Sequence, residues 1–310
     1  LLDSDNEYAY RLKKNVNIVQ LTFNSSFAKS LVSMYAFPAK VLKKLSVNSF
    51  IAYYDFISNC VTNVFEKTYD IAIDFYGYGS FVTAFLATKI QAKKKATWLH
   101  DEKPYWMKSV QKYLCEYDKI YGVSQAVVDA FCREYPHYKD KAAVFYNVID
   151  IEEIKRKSEQ DEIIPFKESF NIVTVGRLTE QKGYDIAIKA ASILKKRKIN
   201  FAWYAIGGGR DEKKLKKLVE KYCLENQFVF LGRKKNPYPY MKHCDLYVQP
   251  SRHEGYVITL VEARALCLPI LSSDIPSARE QIQDGINGYV AELSAEDLAD
   301  KIEYLYNNPS

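Results

Sequence analysis

His253-Glu254-Gly255-Tyr256-Val257-Ile258-Thr259-Leu260-Val261-Glu262-Ala263 is the stretch from which the fold is read. Two carboxylates stand eight positions apart, with a glycine directly after the first and an apolar run between them. Upstream, Asp245-Leu246-Tyr247-Val248-Gln249 reads as a buried strand and Pro250-Ser251-Arg252 as the loop leaving it. Val257 to Cys267 reads as a helix that Leu268-Pro269 stops. A strand, a tight turn and a helix N-terminus together form a common phosphate-holding place in α/β proteins. Free N–H groups and the positive end of the helix dipole face the turn. Gly255 removes a side chain where a ligand approaches the backbone. Glu254 is expected at the mouth of that turn, and Glu262 over a turn into the helix. Taken alone, the pair has a blander explanation. A Glu before a helix is often only a favourable charge, and a Glu inside one is often solvated.

The chain has 310 residues, 48% of them hydrophobic, which suits two domains or one large one. Lys+Arg 44 against Asp+Glu 38 gives a net charge of +6. The charge is mild and dispersed, so a nucleic-acid partner does not follow from it. Basic clusters at Lys13-Lys14, Lys43-Lys44 and Lys93-Lys94-Lys95 read as solvated surface, with attraction to anionic lipid or an anionic acceptor as the alternative. The six cysteines show no Cys-x-x-Cys pair and no His at metal spacing, and read as reduced, buried packing residues of a cytoplasmic protein. No apolar run approaches a membrane span, and no signal peptide is visible.

Outward from the opening stretch, strands and helices alternate in two blocks. Val16–Leu21 reads as a strand, and 26–45 as an amphipathic helix suited to core packing or, less simply, to a membrane surface. A helix over 50–66 follows. Then come strands at 70–75, 96–99, 119–123 and 142–146, separated by helices at 80–90, 104–116 and 126–133. Residues 147–168 are polar and read as a linker with one short helix. The second block has strands at 171–175, 201–206, 228–231, 245–249, 269–272 and 288–290. Its helices fall near 184–196, 211–223, 239–242, 257–267, 276–283 and 295–306. The pattern predicts an α/β protein with two doubly wound domains and a cleft between them.

Three further stretches carry candidate chemistry. In Val175-Gly176-Arg177-Leu178-Thr179-Glu180-Gln181-Lys182-Gly183 a strand ends at a glycine, followed by a guanidinium and, five residues on, a lysine. A planar fork of donors and a point charge suit a diphosphate; two solvated surface cations are the alternative. Ala205-Ile206-Gly207-Gly208-Gly209-Arg210 is a glycine-rich turn, not the dinucleotide fingerprint, because Glu212 holds the third glycine position. It either lets a ligand lie close or is simply a tight turn. Trp98-Leu99-His100-Asp101-Glu102-Lys103-Pro104 places a His and a carboxylate at a strand's carboxyl end, where open α/β sheets bind ligands. Such a His also commonly serves only as a hydrogen-bonding cap. Asp3-Ser4-Asp5 follows no strand and reads as surface.

Taken together, Gly-Arg-Leu, Gln-Lys-Gly, the glycine-rich turn, Pro-Ser-Arg-His-Glu-Gly-Tyr and the second Glu resemble the retaining glycosyltransferases of family four, with a glycogen-synthase-like donor domain. The resemblance covers about 170–306 specifically. Ala-Thr-Trp-Leu-His-Asp and Tyr-Gly-Val-Ser extend it loosely toward bacterial members that build capsule, exopolysaccharide and other surface glycans. It implies a GT-B fold of two Rossmann-like domains. Residues 1–149 would be the acceptor-side domain, 150–168 a linker and 169–310 the donor domain. The family's pattern usually starts with a strand and glycine-rich loop ahead of what is seen here, and ends with helices beyond Ser310. The fold is therefore expected to be truncated at both ends.

The resemblance also implies roles. Arg177 and Lys182 would hold the donor diphosphate, Glu262 the ribose hydroxyls and Glu254 the transferred sugar. The N–H groups of Gly255, Tyr256 and Val257 would cap the sugar or distal phosphate. Gly176, Gly207 and Gly208 would line the donor site, and Gly232-Arg233-Lys234 would run along the nucleobase. His100 would face the donor sugar, and Asp101, Tyr76 and Gly77 are acceptor-side candidates. The co-substrate is expected to be a UDP-sugar, with GDP the alternative, and no metal or bound cofactor is expected. The acceptor would be a glycan or lipid-linked, met in the cytoplasm or peripherally at the inner membrane face. Three other readings remain: a non-catalytic nucleotide-sugar-binding subunit, a GT-B nucleotide-sugar 2-epimerase, and a glycan phosphorylase, which would need pyridoxal phosphate.

Overall fold

The computed structural model describes residues 21–26, 29–30, 48–61, 65, 67–77, 81–160, 166 and 168–308. Most of the expected strand at 16–21 and helix at 26–45 lies outside them, as do Lys13-Lys14 and Lys43-Lys44. The chain divides into two units, Leu1–Val123 with Val127–Phe145, and Ser124–Ala126 with Tyr146–Ser310.

Among the described residues of the first unit are α1 (Asn48–Cys60), β1 (Tyr69–Asp74), α2 (Phe81–Lys89), β2 (Ala92–Leu99), β3 (Lys119–Gly122), α3 (Gln125–Glu134) and β4 (Ala142–Val144). The four strands pair in parallel in chain order. β2 is eight residues long, not the four expected, because it begins at Ala92 and takes in the whole tri-lysine cluster. Those lysines are strand residues with local partners. Lys93 Nζ meets Asp70 at 2.7 Å, Lys94 Nζ meets Asp118 at 2.8 Å, and Lys95 Nζ donates to Ala87 O at 2.7 Å. The helix expected over 104–116 is instead two 3₁₀ turns, Pro104–Ser109 and Gln111–Glu116. Met107, Val110 and Tyr113 are buried at a spacing of three, which fits three residues per turn. Asp74 ends β1 with its carboxylate buried. It accepts from Thr83 Oγ1 at 2.6 Å, Thr97 Oγ1 at 3.0 Å and Gly77 N at 3.0 Å.

In the second unit α4 (Ile151–Ser158) comes first, capped by Asp150, whose side chain accepts from Glu153 N. Then come β5 (Phe170–Val175), α5 (Tyr184–Lys196), β6 (Phe201–Ile206), α6 (Glu212–Lys221), β7 (Phe228–Gly232), α7 (Tyr238–Lys242), β8 (Leu246–Gln249), α8 (Ile258–Ala265), β9 (Ile270–Ser273), α9 (Pro276–Arg279), β10 (Tyr289–Ala291) and α10 (Ala295–Asn307). The six strands are parallel in the order β10-β9-β8-β5-β6-β7. Both faces of the sheet are covered, so its strands are apolar on both sides. Along β6, Phe201, Trp203 and Ala205 join the core beneath α5, α6 and α10. Ala202, Tyr204 and Ile206 join the core shared with α7 and α8. The alternation is the period of two that a strand imposes. Trp203 is fully buried, and its indole N–H donates to Thr174 Oγ1 at 3.0 Å; truncating it to Ala costs about 3–5 kcal/mol.

The cysteines correct one expectation: all six are free, but of them only Cys244 is buried. Cys223 and Cys267 are exposed with φ of 52° and 56°, where α6 and α8 end in the left-handed conformation usual after helices. No helix among the described residues is long and apolar enough to cross a membrane.

Candidate active site

The strand order of the second sheet reverses between β5 and β8, because the chain winds outward through β6 and β7 before returning to β8. Crossovers diverge at such a point and leave a crevice at the strands' carboxyl ends. The residues after β5 and after β8 meet there. Lys182, in the 3₁₀ turn Glu180–Lys182, places Nζ 2.5 Å from Glu254 Oε1. Both side chains are largely withdrawn from solvent, at 16% and 9% exposure. Glu254, expected at the mouth of the turn, is buried there against Lys182.

The loop that carries Glu254 is tied to the turn that carries Lys182. Arg252 grips the Asp185 carboxylate with both guanidinium ends, at 2.8 and 2.7 Å, and donates to Glu180 O at 2.7 Å. Its backbone N–H donates to Gln181 O at 2.8 Å, and Gln181 Nε2 donates to His253 O at 3.0 Å. Such a two-pronged pair fixes orientation as well as distance. Burial pushes the Asp185 carboxyl up, but the hydrogen bonds and charge of Arg252 outweigh it, and the net shift is downward.

Just beyond, α8 begins at Ile258. The N–H groups of Gly255, Tyr256 and Val257 donate to no acceptor among the described residues. Glu262 is the fifth residue of α8 and accepts from Tyr238 OH at 3.0 Å. Burial raises its carboxyl above the usual range; the Tyr238 hydrogen bond and the charge of Lys157 offset this in part.

Beside β5, a depression of about 230 Å³ is lined by Gly176, Arg177, Gly207, Gly208, Arg233 and Lys234, with Val175, Ile206 and Pro237. It gathers three separate sequence motifs into one place. The Arg177 side chain is exposed and takes part in no hydrogen bond or ion pair among the described residues. Lys234 Nζ lies 4.8 Å above the Tyr240 ring, so of the Gly232-Arg233-Lys234 segment Arg233 is the more exposed cation.

The remaining candidates lie in the first unit. Tyr76 and Gly77 follow β1, while His100 and Asp101 follow β2, its parallel neighbour. His100 Nε2 sits 2.7 Å from Phe75 O, and its ring meets that of Phe75 edge-on at 5.3 Å. Asp101 Oδ1 accepts from Lys103 N at 3.0 Å, and Tyr76 is 61% exposed. Four groups escaped the sequence reading: Gln249, Ser251, Tyr238 and the Arg252–Asp185 pair. For the first two a signal existed, since a glutamine closes an otherwise apolar strand and a serine follows two residues on.

A chain with a six-stranded parallel sheet of this reversed order in one unit and a parallel sheet in another has the elements of GT-B proteins. The chain belongs to the group 1 glycosyl transferases, whose family model matches residues 155–310. A named relative is the N-acetylgalactosamine-N,N'-diacetylbacillosaminyl-diphospho-undecaprenol 4-alpha-N-acetylgalactosaminyltransferase of Campylobacter jejuni. It is 32% identical over 157 residues, 50% of this chain and 41% of that protein. The chain spans about two fifths of the length of such relatives. Among solved structures, S. aureus TarM in complex with fondaparinux, alpha-GlcNAc-glycerol and UDP aligns with a TM-score of 0.65 at 22% identity, covering 77% of this chain and 48% of that one. Anabaena HepE in complex with UDP and glucose aligns with a TM-score of 0.65 at 19% identity, covering 86% and 73%. These likenesses establish the GT-B fold that the motifs implied.

Proposed function

We propose that this protein is a retaining glycosyltransferase that moves a sugar from a UDP-sugar to a glycan or lipid-linked acceptor in bacterial polysaccharide or surface-glycan synthesis. The observation that carries the reading is the meeting of Lys182 and Glu254 at the sheet reversal, beside the unengaged N–H groups of Gly255, Tyr256 and Val257. UDP in the TarM and HepE structures supports the donor's nucleotide, and the diphospho-undecaprenol in the Campylobacter relative's name supports a lipid-linked acceptor.

In this reading residues 169–310 bind the donor and 1–149 serve the acceptor. Arg177 and Lys182 hold the diphosphate, Glu262 binds the ribose hydroxyls, and Glu254 binds the transferred sugar. The depression lined by Gly176, Gly207, Gly208 and Arg233 takes the nucleobase side, with Gly232 giving the turn into it. His100, Asp101, Tyr76 and Gly77 are assigned to the acceptor side. The bond from the sugar's anomeric carbon to the diphosphate oxygen breaks through an oxocarbenium-like state, and negative charge grows on the phosphate. Fixed cations and helix-start N–H groups stabilise that charge more than they stabilise the ground state. The acceptor oxygen bonds to the same face, and its proton passes to the departing phosphate. Protein cations serve the diphosphate in place of a metal. The reaction is assigned to the cytoplasm, with peripheral contact at the inner membrane face.

The test is nucleotide release with UDP-, GDP- and ADP-sugars, each with and without glycan and lipid-linked acceptors. Release is expected from a UDP-sugar and only with an acceptor. Lys182→Ala and Glu254→Ala are each expected to lower kcat by about 10²–10³. Undiminished turnover in either variant would remove the role assigned to that residue.

A further inference from the structure

Behind Glu254 lies a buried polar chain that the family reading does not use. Tyr247 and Gln249 lie on one face of β8, and Ser251 follows two residues on. They are 0%, 1% and 0% exposed. Buried polar groups are costly unless paired, and here they are paired. Gln249 Oε1 accepts from Tyr247 OH and, at 3.0 Å, from Thr259 Oγ1. Gln249 Nε2 donates to Ser251 Oγ at 2.6 Å and to Glu254 Oε1 at 3.3 Å. Ser251 Oγ donates to the same Glu254 oxygen at 2.7 Å. Glu254 Oε1 therefore accepts from Lys182, Ser251 and Gln249, while Oε2 accepts from nothing among the described residues.

The orientation of the Gln249 amide follows from chemistry. The two hydroxyls at its far end can donate or accept, whereas the carboxylate at its near end can only accept. Turning the amide over would face oxygen to oxygen at Glu254. Tyr247 and Thr259 hold the amide oxygen, so the NH₂ is committed to Glu254.

We propose that Gln249 is a positioning residue for Glu254. It holds one carboxylate oxygen to the protein, leaves the other for a hydroxyl of the donor sugar, and keeps the carboxylate in place when Lys182 turns to the diphosphate. A buried carboxylate held only by its ion pair would be left uncompensated at that moment, which is costly. Gln249 and Ser251 are neutral donors that do not move with the phosphate. The proposal rests on the reading that Glu254 meets the transferred sugar.

Two measurements on Gln249→Leu test it. By calorimetry with UDP, UDP-glucose and UDP-N-acetylglucosamine as probes, UDP affinity stays within about twofold. The extra affinity that the sugar adds falls about tenfold, as for loss of one hydrogen bond to a charged group. In a crystal structure of the ligand-free variant, the Glu254 carboxylate leaves its place beside Ser251. Equal weakening of UDP and UDP-sugar, or a carboxylate that stays in place, overturns the proposal. Should Gln249→Leu fail to fold, Tyr247→Phe and Thr259→Val release the amide without removing it, and are expected to shift both readouts in the same direction by about two- to fivefold. Wild-type protein that binds none of the probes refutes the functional reading instead; the ligand-free structure still decides the role of Gln249.

Discussion

At the carboxyl edge of the first sheet, an added Cβ on Gly77 would stand 1.4 Å from Trp98 O; at that of the second, one on Gly183 would stand 1.8 Å from Pro250 O. Both glycines have positive φ, 53° and 67°, and both let a loop press against the end of a strand. Around this shared device the edges are built differently. The first is aromatic: Tyr121 lies tilted against Trp98 with ring centroids 4.6 Å apart, and Phe75 and Phe145 pack against Trp98 at 5.5 and 5.4 Å. The second is ionic, with Lys182–Glu254 and Arg252–Asp185 as its fastenings. The strand orders account for this. The described strands of the first sheet run in chain order, while those of the second reverse, and only a reversal brings two diverging loops together.

Replacing the two glycines tests that contrast most severely. Gly77→Ala and Gly183→Ala each force a side chain into the left-handed region and against a carbonyl. Each is expected to cost about 1–3 kcal/mol in urea unfolding. The variants part company in binding. Gly183→Ala displaces Lys182 from Glu254 and is expected to lose UDP binding, while Gly77→Ala keeps it. Equal loss in both would erase the distinction between the edges.

Arg252→Lys sharpens the comparison with a smaller effect. Lysine keeps the charge but cannot grip Asp185 with two parallel bonds. The pair is about 30% exposed, so the loss is expected to be about 0.5–1 kcal/mol in urea unfolding. KM for the UDP-sugar is expected to rise with kcat little changed, because Glu254 on the loop and Lys182 on the turn are both retained and still pair with each other. A fall in kcat alone would place Arg252 in the chemistry itself.

Much of the second edge was legible in sequence because its signals are local. Strand β6 and helix α5 fall where their periodicity puts them, and a glycine or proline marks most of the other boundaries. That residues 176–183 and 250–257 share one site was implied by the resemblance to the family; strand–helix alternation gave only the fold in which they sit. The rest depended on packing. The first half of β2 is exposed lysine, which carries no strand period. The 3₁₀ turns reuse an apolar spacing that a helix also shows. Burial of Glu254 was illegible because Lys182 comes from a separate stretch, and it, Gln249 and Ser251 meet Glu254 only in the folded chain; the glutamine closing an apolar strand hinted at a buried polar group but not at its partner.

The smallest expected effect concerns pH, and it separates two carboxylates of the second unit. Burial holds Glu262 above its ordinary 4.5, the Tyr238 bond and Lys157 countering only in part. A carboxyl raised in the folded state contributes stability below its unfolded value and loses it as pH rises through the folded value. At neutral pH Glu262 is therefore a liability to the fold, retained in our reading for the ribose hydroxyls. Asp185 has the opposite sign. Held below its ordinary 3.8 by Arg252 despite burial, it stabilises at neutral pH, and that contribution is lost as pH falls through its folded value. Glu262→Gln keeps the shape and the Tyr238 partner while removing the charge. Its Tm at pH 7 is expected to exceed wild type by about 1–2 °C, the gap closing as the pH falls through the raised folded-state value, where the wild-type carboxyl protonates, and gone below 4.5. UDP affinity of the same variant is expected to fall, since Gln offers one acceptor where the carboxylate offers two. A wild type more stable than Glu262→Gln at pH 7 would mean that its surroundings favour the ionised form, and the inferred conflict between folding and binding at this position would be gone.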